Sequence, residues 1–313
     1  MTLRECPRKY YYSNVAGLRS LTPSIEQRAF SFGTAMHKVL EGFYKLPNDR
    51  RTLKYLTSKW RSVSRDLDDE HKELGLGMVR GYYDWVSVMD SGRFITISSE
   101  KRLGMKVKTP IGDVQFSGQM DSLWLEKQTG KLYIIDHKTY TNFPSDHFFN
   151  NNPQMYSYLL LLQKNGLTAS GFIFNILRKV SHVEPAVNKD GSLSIRNANV
   201  SEKSFVETAE RCGIDLADPR YAEFLDKIRQ FPAYKRVEQE IIVSKLKQAE
   251  RELQVEATAL LNFYKFGFYS VPGDHCAYCS FKHLCDVQSS GGNVRETIEK
   301  NYSVSGTLLE TEL

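Results

Sequence analysis

The sequence predicts an α/β protein. Apolar residues recur at helical spacing through most of residues 28–89, and the period then shortens to two across residues 95–138. Within that second stretch Leu132-Tyr133-Ile134-Ile135 is apolar on both faces, as expected of a strand at the centre of a sheet. The 313 residues, 41% of them hydrophobic, suffice for a large core, and 25% charged with 12% aromatic residues excludes a disordered chain.

Met1 to Tyr12 mixes Cys6, Pro7, three bases and three tyrosines and is too short to fold alone. Arg28 to Tyr44 reads as a helix through Phe32, Ala35, Met36, Val39, Leu40 and Phe43; further helices are expected over Arg51–Arg65 and Glu70–Met89. A β-meander follows, with turns at Pro110-Ile111-Gly112-Asp113 and at Glu126 to Gly130. Asp146 to Lys164 returns to a helix closed by Asn165-Gly166, and Gly171 to Leu177 is another buried strand. Val187 to Asn199 is polar and reads as an insertion. Two or three helices occupy Ser201–Tyr264, with Tyr234–Val243 ambiguous between helix and strand. One domain is expected over residues 1–290, its core motifs in 28–178 and a helical, cysteine-bearing part in 201–286. Residues 291–313 lack apolar periodicity and are expected to form a flexible tail.

No window approaches the roughly 20 apolar residues of a membrane span, and the N-terminus has no secretory signal, so no membrane partner and a cytoplasmic location are expected. The net charge of +5 hides an asymmetry: from Asp286 onward five acids face two bases, which leaves +8 on residues 1–285. A moderately basic body suits a polyanionic partner without demanding one.

Candidate chemistry gathers at Asp121 and Asp136-His137-Lys138. On a strand Asp136 and Lys138 share one face and His137 takes the other. Adjacent strands lie about 4.8 Å apart, so in suitable register Asp121 and Asp136 can share a divalent cation, with Lys138 beside a phosphate or the attacking water. Taken alone, D-x-K is more often a salt bridge. His37, in Gly33-Thr34-Ala35-Met36-His37, is by itself more often a core residue than a ligand. Gln154 and Tyr158 stand four apart on one helical face, and Glu100 ends the first strand.

The cysteines form a second cluster. Cys276, Cys279 and Cys285 have ligand-like spacing, with Cys6 far upstream. Spacing does not separate zinc from an iron–sulfur cluster, and His275 or His283 could complete a zinc site in place of Cys6. Cys212 fits no ligand position and reads as a small packed residue.

In combination and order, the G-T-x-x-H helix, the strand acid, G-x-x-D, D-x-K and Q-x-x-x-Y resemble the RecB-like branch of the PD-(D/E)XK nuclease superfamily, which includes CRISPR-associated and AddB-type nucleases. The resemblance covers roughly Met1 to Asp286. It implies a restriction-endonuclease-like core with a mixed central sheet flanked by helices. It further implies Mg²⁺ or Mn²⁺ held by His37, Asp121, Asp136 and the backbone carbonyl of His137, with Glu100 the looser match. Lys138 would position the nucleophile, and Gln154 and Tyr158 would support the site and touch the DNA backbone. Asp136 stands where many relatives carry Glu. In relatives with C-P-x-x-Y and a C-terminal C-x2-C-x5-C, matched here by Cys6, Cys276, Cys279 and Cys285, the four cysteines hold a [4Fe–4S] cluster that clasps the chain ends; structural zinc is the alternative.

The function so implied is a divalent-metal-dependent DNA nuclease, an exonuclease on single-stranded ends, active in recombination or repair. The rivals are a structure-specific endonuclease on branched or flapped DNA and an inactive DNA-binding or assembly subunit. No G-x-x-x-x-G-K-[ST] loop is present, so unwinding would need a helicase or recombination partner.

Overall fold

The computed structural model describes residues 2–21, 25–90, 92–180, 184–196, 200–230 and 232–305. Two short helices, α1 (Thr2–Glu5) and α2 (Pro7–Tyr10), lead into β1 (Leu18–Ser20). Three longer helices follow: α3 (Ile25–Lys45), α4 (Leu53–Val63) and α5 (Asp69–Met89). The meander is β2 (Phe94–Thr109), β3 (Gly112–Glu126) and β4 (Leu132–Tyr140); then come α6 (Asp146–Asn150), α7 (Pro153–Lys164) and β5 (Gly171–Arg178). A helical pair, α8 (Glu202–Cys212) and α9 (Pro219–Gln230), precedes β6 (Tyr234–Glu240), α10 (Val243–Phe266), α11 (Lys282–Ser289), α12 (Val294–Asn301) and β7 (Tyr302–Val304). Among the described residues no helix is long and apolar enough to cross a membrane.

Residues 32–104 and 117–247 form one compact unit; the described parts of 1–31, 105–116 and 248–313 form a second. The sequence suggests a single domain because periodicity reports local burial and says nothing of which distant segments share a core.

The larger unit is built on a five-stranded sheet in the order β2-β3-β4-β5-β6. β3 and β4 are antiparallel, β4 and β5 parallel, β5 and β6 antiparallel, which is the mixed sheet expected. The parallel pair requires a crossover, supplied by α6 and α7. Every residue of β5 is buried, so this strand sits between two covered faces. On one face Ile135, Ile173 and Leu177 pack under the apolar stripes of α3, α4 and α5, including Phe32, Met36, Leu40, Trp60 and Met78. Helix starts follow local capping: the side chains of Thr52, Asp68 and Asn152 each accept a backbone N–H from the first turn of α4, α5 and α7. At Gly75 a Cβ would lie 1.9 Å from the Trp60 ring, so only glycine lets α5 pass α4 this closely. By alternation Phe172 and Phe174 face the other way, against Tyr156 of α7 (ring centroids 5.6 Å) and Phe149 of α6 (5.0 Å). Leu193, Val200, Phe205 and Phe224 make a separate core under α8 and α9, so the stretch expected as an insertion contributes Leu193 to packing; its residues 197–199 lie outside the described residues.

The ambiguous stretch 234–243 forms strand β6. It carries Arg236, whose guanidinium is buried and bonds Asp90 and Asn175 Oδ1 (3.0 Å). Asn175 Nδ2 donates to Tyr82 Oη (2.9 Å), which is 2.6 Å from Tyr44 Oη, and Tyr44 donates back to Asp90 (3.3 Å). The five groups close a polar ring within the apolar core, with the guanidinium over the rings of Trp85, Phe94 and Trp124.

In the smaller unit β1 and β7 pair antiparallel, Leu18 opposite Val304 and Ser20 opposite Tyr302. Tyr12, Leu18, Phe281, Leu284, Ile298 and Tyr302 form its core. At Gly17 (φ +64°) a Cβ would strike the carbonyl oxygen of Ser305, whose N–H donates to Gly17 O (2.8 Å). The expected flexible tail is therefore corrected over residues 294–304: Asn293 caps α12, and Ile298 and Tyr302 are buried. Val294, Ile298 and Tyr302 are single apolar residues four apart, too sparse a stripe to register as periodic. Residues 306–313 of that tail lie outside the described residues.

Candidate active site and cysteine cluster

Strand register brings the carboxylates together. The β3–β4 ladder ends at the pair Ser122–Ile135, which sets Asp121 and Asp136 just past its last rung. There Asp121 Oδ2 accepts the main-chain N–H of His137 (2.7 Å), a side chain taking the place of a strand partner. The same oxygen is 3.3 Å from Nδ1 of His37, which α3 carries on one of its turns. Burial raises the Asp121 carboxyl, but the hydrogen bond and charge of His37 and the His137 N–H outweigh it and hold the group well below the usual carboxylate range. Reciprocally, burial alone would depress His37, and Asp121 raises it above its ordinary value.

Asp136 is almost fully buried, and burial lifts its carboxyl to about 6 despite the neighbouring ammonium of Lys138. Lys138 Nζ donates to Asp136 Oδ1 at 3.0 Å. Oδ2 lies 2.9 Å from the same nitrogen yet takes no hydrogen bond of its own. Burial works against the Lys138 cation, but Asp136 and Asp121 more than compensate, so the side chain stays an ammonium.

From Lys138 the network continues onto α7. Nζ donates to Gln154 Oε1 (3.3 Å), and Gln154 Nε2 donates to Tyr158 Oη (2.7 Å). Buried Asn152 caps this helix by accepting the Gln154 N–H (3.0 Å), which fixes where Gln154 begins. Tyr158 is buried and pushed up to about 12, so it remains a phenol. The helix approaches closely because residue 118 is glycine: a Cβ there would come within 2.8 Å of Leu161 Cδ1 and 3.0 Å of Tyr158 Cε1.

The His137 ring points to the opposite face, stacked on Tyr44 (centroids 5.4 Å, interplanar 16°), and burial drives its pKa down to about 3. Glu100 on β2 has φ 54°, alone among described non-glycine residues in being positive, in line with the tendency of such strained residues to gather at functional sites. Its carboxylate accepts from the Gln119 amide, and it is raised by burial and, after that hydrogen bond, by the charges of Asp121 and Glu41. Glu41 went unnoticed in the sequence, although it lies one helical turn beyond His37 and hence on the same face of α3. Ser99 ties these parts together, its hydroxyl 3.3 Å from the main-chain oxygens of both Glu41 and Asp121.

All the expected active-site side chains except that of His137 thus belong to one neighbourhood of the larger unit. Among the described residues, no three His, Cys, Asp or Glu side chains converge as tightly as around a single bound ion. Instead each carboxylate has a side-chain nitrogen beside it, Asp121 that of His37 and Asp136 the ammonium of Lys138. The donor set nonetheless fits a hard divalent cation, since both strand residues offer carboxylate oxygens and Asp136 Oδ2 is buried without a hydrogen bond.

In the smaller unit Cys6, Cys276, Cys279 and Cys285 line one cavity of about 230 Å³, together with Arg8 and His275. Cys6 is the N-cap of α2, Cys276 lies in a turn that ends at Cys279, and Cys285 lies on α11. The thiols are free, burial raises Cys279, and Arg8 Nη1 is 3.8 Å from Cys285 Sγ. His275 lines this cavity and His283 does not. Cys212, expected to be packed, is exposed where α8 ends at the left-handed Gly213, so the helix terminus leaves it outside the α8–α9 core.

Among solved structures, that of SSO0001 is similar over 73% of this chain and 79% of its own, at 12% identity and a TM-score of 0.31. Protein VC1899 from Vibrio cholerae is similar over 72% of this chain and 62% of its own, at 13% identity and a TM-score of 0.18. Likeness that slight carries no weight for the site. No curated protein matches the chain. The family model of the PD-(D/E)XK nuclease superfamily matches residues 1–286, which span His37, both strand carboxylates, Lys138 and the four clustered cysteines. With a match of that extent, the chain belongs to the PD-(D/E)XK nuclease superfamily.

Proposed function

We propose that the protein is a divalent-metal-dependent DNA nuclease that hydrolyses phosphodiester bonds, acting as an exonuclease on single-stranded ends. The observation that carries the reading is the joined set Asp121, Asp136 and Lys138 at the end of the β3–β4 ladder. Nucleases of this superfamily generally use Mg²⁺ or Mn²⁺. His37, Asp121, Asp136 and the main-chain carbonyl of His137 would hold the ion, with Glu100 the outer candidate. Such an ion neutralises charge at the phosphate and activates a water. Lys138, already protonated, cannot take a proton; its role is to orient that water and to meet negative charge growing on the phosphate. Gln154 fixes the ammonium, and Tyr158 fixes Gln154. The test is incubation of end-labelled single-stranded, duplex and circular DNA with Mg²⁺ or Mn²⁺, with and without chelator. Mononucleotide release from linear single strands, with circles spared, is expected. Cleavage of circles would move the reading to an endonuclease, and metal-independent cleavage would sink it.

For the cysteines the reading is a [4Fe–4S] cluster. Its support is that Cys6, Cys276, Cys279 and Cys285 all line one cavity of about 230 Å³, in the C-P-x-x-Y and C-x2-C-x5-C contexts that resemble cluster-bearing relatives; a single zinc is the alternative. Iron and sulfide near four of each per chain, in brown protein purified without oxygen, is the expected result. Colourless protein with one zinc would overturn it. By resemblance to RecB-like enzymes the setting is recombination or repair, with a helicase partner to unwind.

A further inference from the structure

The end of α10 in the smaller unit carries several exposed aromatic rings. Residues 257–273 contain five aromatics, one lysine and no carboxylate. Half-buried Phe263 and Phe268 lie 5.7 Å apart, with Tyr11 5.2 Å and Tyr264 5.3 Å from Phe268 and Tyr269 5.5 Å from Phe263. Tyr264 and Tyr269 are each 57% exposed and Phe266 is 76% exposed. Gly267 (φ +97°) ends the helix here, its N–H donating to Phe263 O (2.8 Å), and turns the chain so that Phe266 and Tyr269 border one open cleft of about 390 Å³. Arg8 lines the same cleft: its main-chain N–H donates to Tyr269 O (3.0 Å), and its guanidinium reaches Phe268 O through Nε (3.5 Å) and Cys285 Sγ through Nη1 (3.8 Å). Lys265 Nζ lies 5.1 Å from the centroid of the Phe266 ring. Rings held in water cost free energy, and such a patch marks a binding surface.

We infer that this cleft is a stacking platform for the unpaired bases of a single-stranded nucleic acid. Flat rings without sequence-reading polar groups stack on any base, and flanking cations meet the phosphates between them. Among the described residues no carboxylate lines the cleft, Arg8 is among its lining residues and Lys265 stands over the Phe266 ring, which suits a polyanion and disfavours a basic-rimmed protein partner. The inference deepens the nuclease reading and rests on it for the choice of ligand.

The test measures binding of fluorescein-labelled oligothymidylate and of a blunt duplex by anisotropy, in chelator, with the full chain. Phe266→Ala and Tyr269→Ala should each weaken single-strand binding by about fivefold or more, with duplex binding unchanged. Phe266→Trp should stay within about twofold of wild type, because a larger ring still stacks. As Phe266 is so exposed, the thermal transition should not move. Unchanged single-strand affinity in both alanine variants, or equal losses in Phe266→Ala and Phe266→Trp, overturns the platform. Metal-dependent cleavage by the wild type is read separately. Cleavage by the wild type with no effect of the substitutions on binding sinks the platform alone; weakened binding in the alanine variants of a protein whose wild type never cleaves sinks the nuclease reading alone.

Discussion

The two functional regions are held in place by different means. Around Asp121 and Lys138 the polar groups are tied to regular elements: a strand N–H fixes one carboxylate, and a chain of hydrogen bonds runs from Asp136 through Lys138 and Gln154 to Tyr158. The cysteines stand instead on helix ends and turns around an open volume, with one contact at 3.8 Å to a sulfur. The first region has its geometry before any ligand arrives, because the sheet and α7 dictate it. In the second, among the described residues, no hydrogen-bond chain of that kind joins the thiols, and the core of Leu18, Ile298 and Tyr302 packs the N- and C-terminal segments of the smaller unit together.

The largest expected break in that contrast is Lys138→Ala, which should lower the cleavage rate by about 10³-fold. It also removes the main charge that opposes burial at Asp136, so that carboxyl, already near 6, should move higher. A protonated carboxyl binds no cation; Mn²⁺ affinity of the variant should therefore fall at pH 6.5 and recover as pH rises, by titration calorimetry. Wild-type rates in this variant would dissolve the catalytic assignment.

Next in size is Cys6→Ala, which should strip iron and colour from the smaller unit yet leave β1 paired with β7. Hydrogen exchange is the measurement: protection at Leu18 and Tyr302 should persist while the turn around Cys276 opens. Equal loss at both places would show that the cluster, not the small core, joins the ends.

Ile298→Ala attacks the same unit from the other side. Removing a buried isoleucine costs about 2–5 kcal/mol, and truncation after Ser290 should cost at least as much. Calorimetry should register the loss in the smaller unit, with metal binding at Asp121 preserved. A truncated chain as stable as the parent would return residues 294–304 to the role of an idle tail.

The smallest effect is Tyr158→Phe. It deletes one hydrogen-bond acceptor for Gln154, worth about 1 kcal/mol, and should slow cleavage about fivefold without altering metal affinity. A loss as large as that of Lys138→Ala would mean that Tyr158 touches the reacting atoms.

What could be read in the sequence was whatever depends on short spacing. Asp136 and Lys138 share a strand face at any register, and Gln154 and Tyr158 share a helical one, so both pairs were visible without coordinates. Glu41 was equally local, but a glutamate on a surface helix has many ordinary explanations. The strained backbone of Glu100 leaves no trace in residue type, since glutamate is not a residue that favours positive φ. Strand β6 was ambiguous because Arg236 faces the core, where an apolar residue would have completed the alternation. The division into two units was hidden for a different reason: the smaller one is assembled from three separated segments, none of which contains a core alone.

That assembly sets an order of events during synthesis. Residues 1–31 leave the ribosome before their partners in the smaller unit, at 105–116 and beyond residue 248, are made. At about 5–20 residues per second, β1 waits many seconds for β7. The larger unit, whose segments end at Lys247, is complete while α11 and α12 are still unmade. Cys6 therefore spends that interval without Cys276, Cys279 or Cys285. Expression that stalls or ends before residue 294 should yield a folded larger unit with a sticky, oxidisable N-terminus.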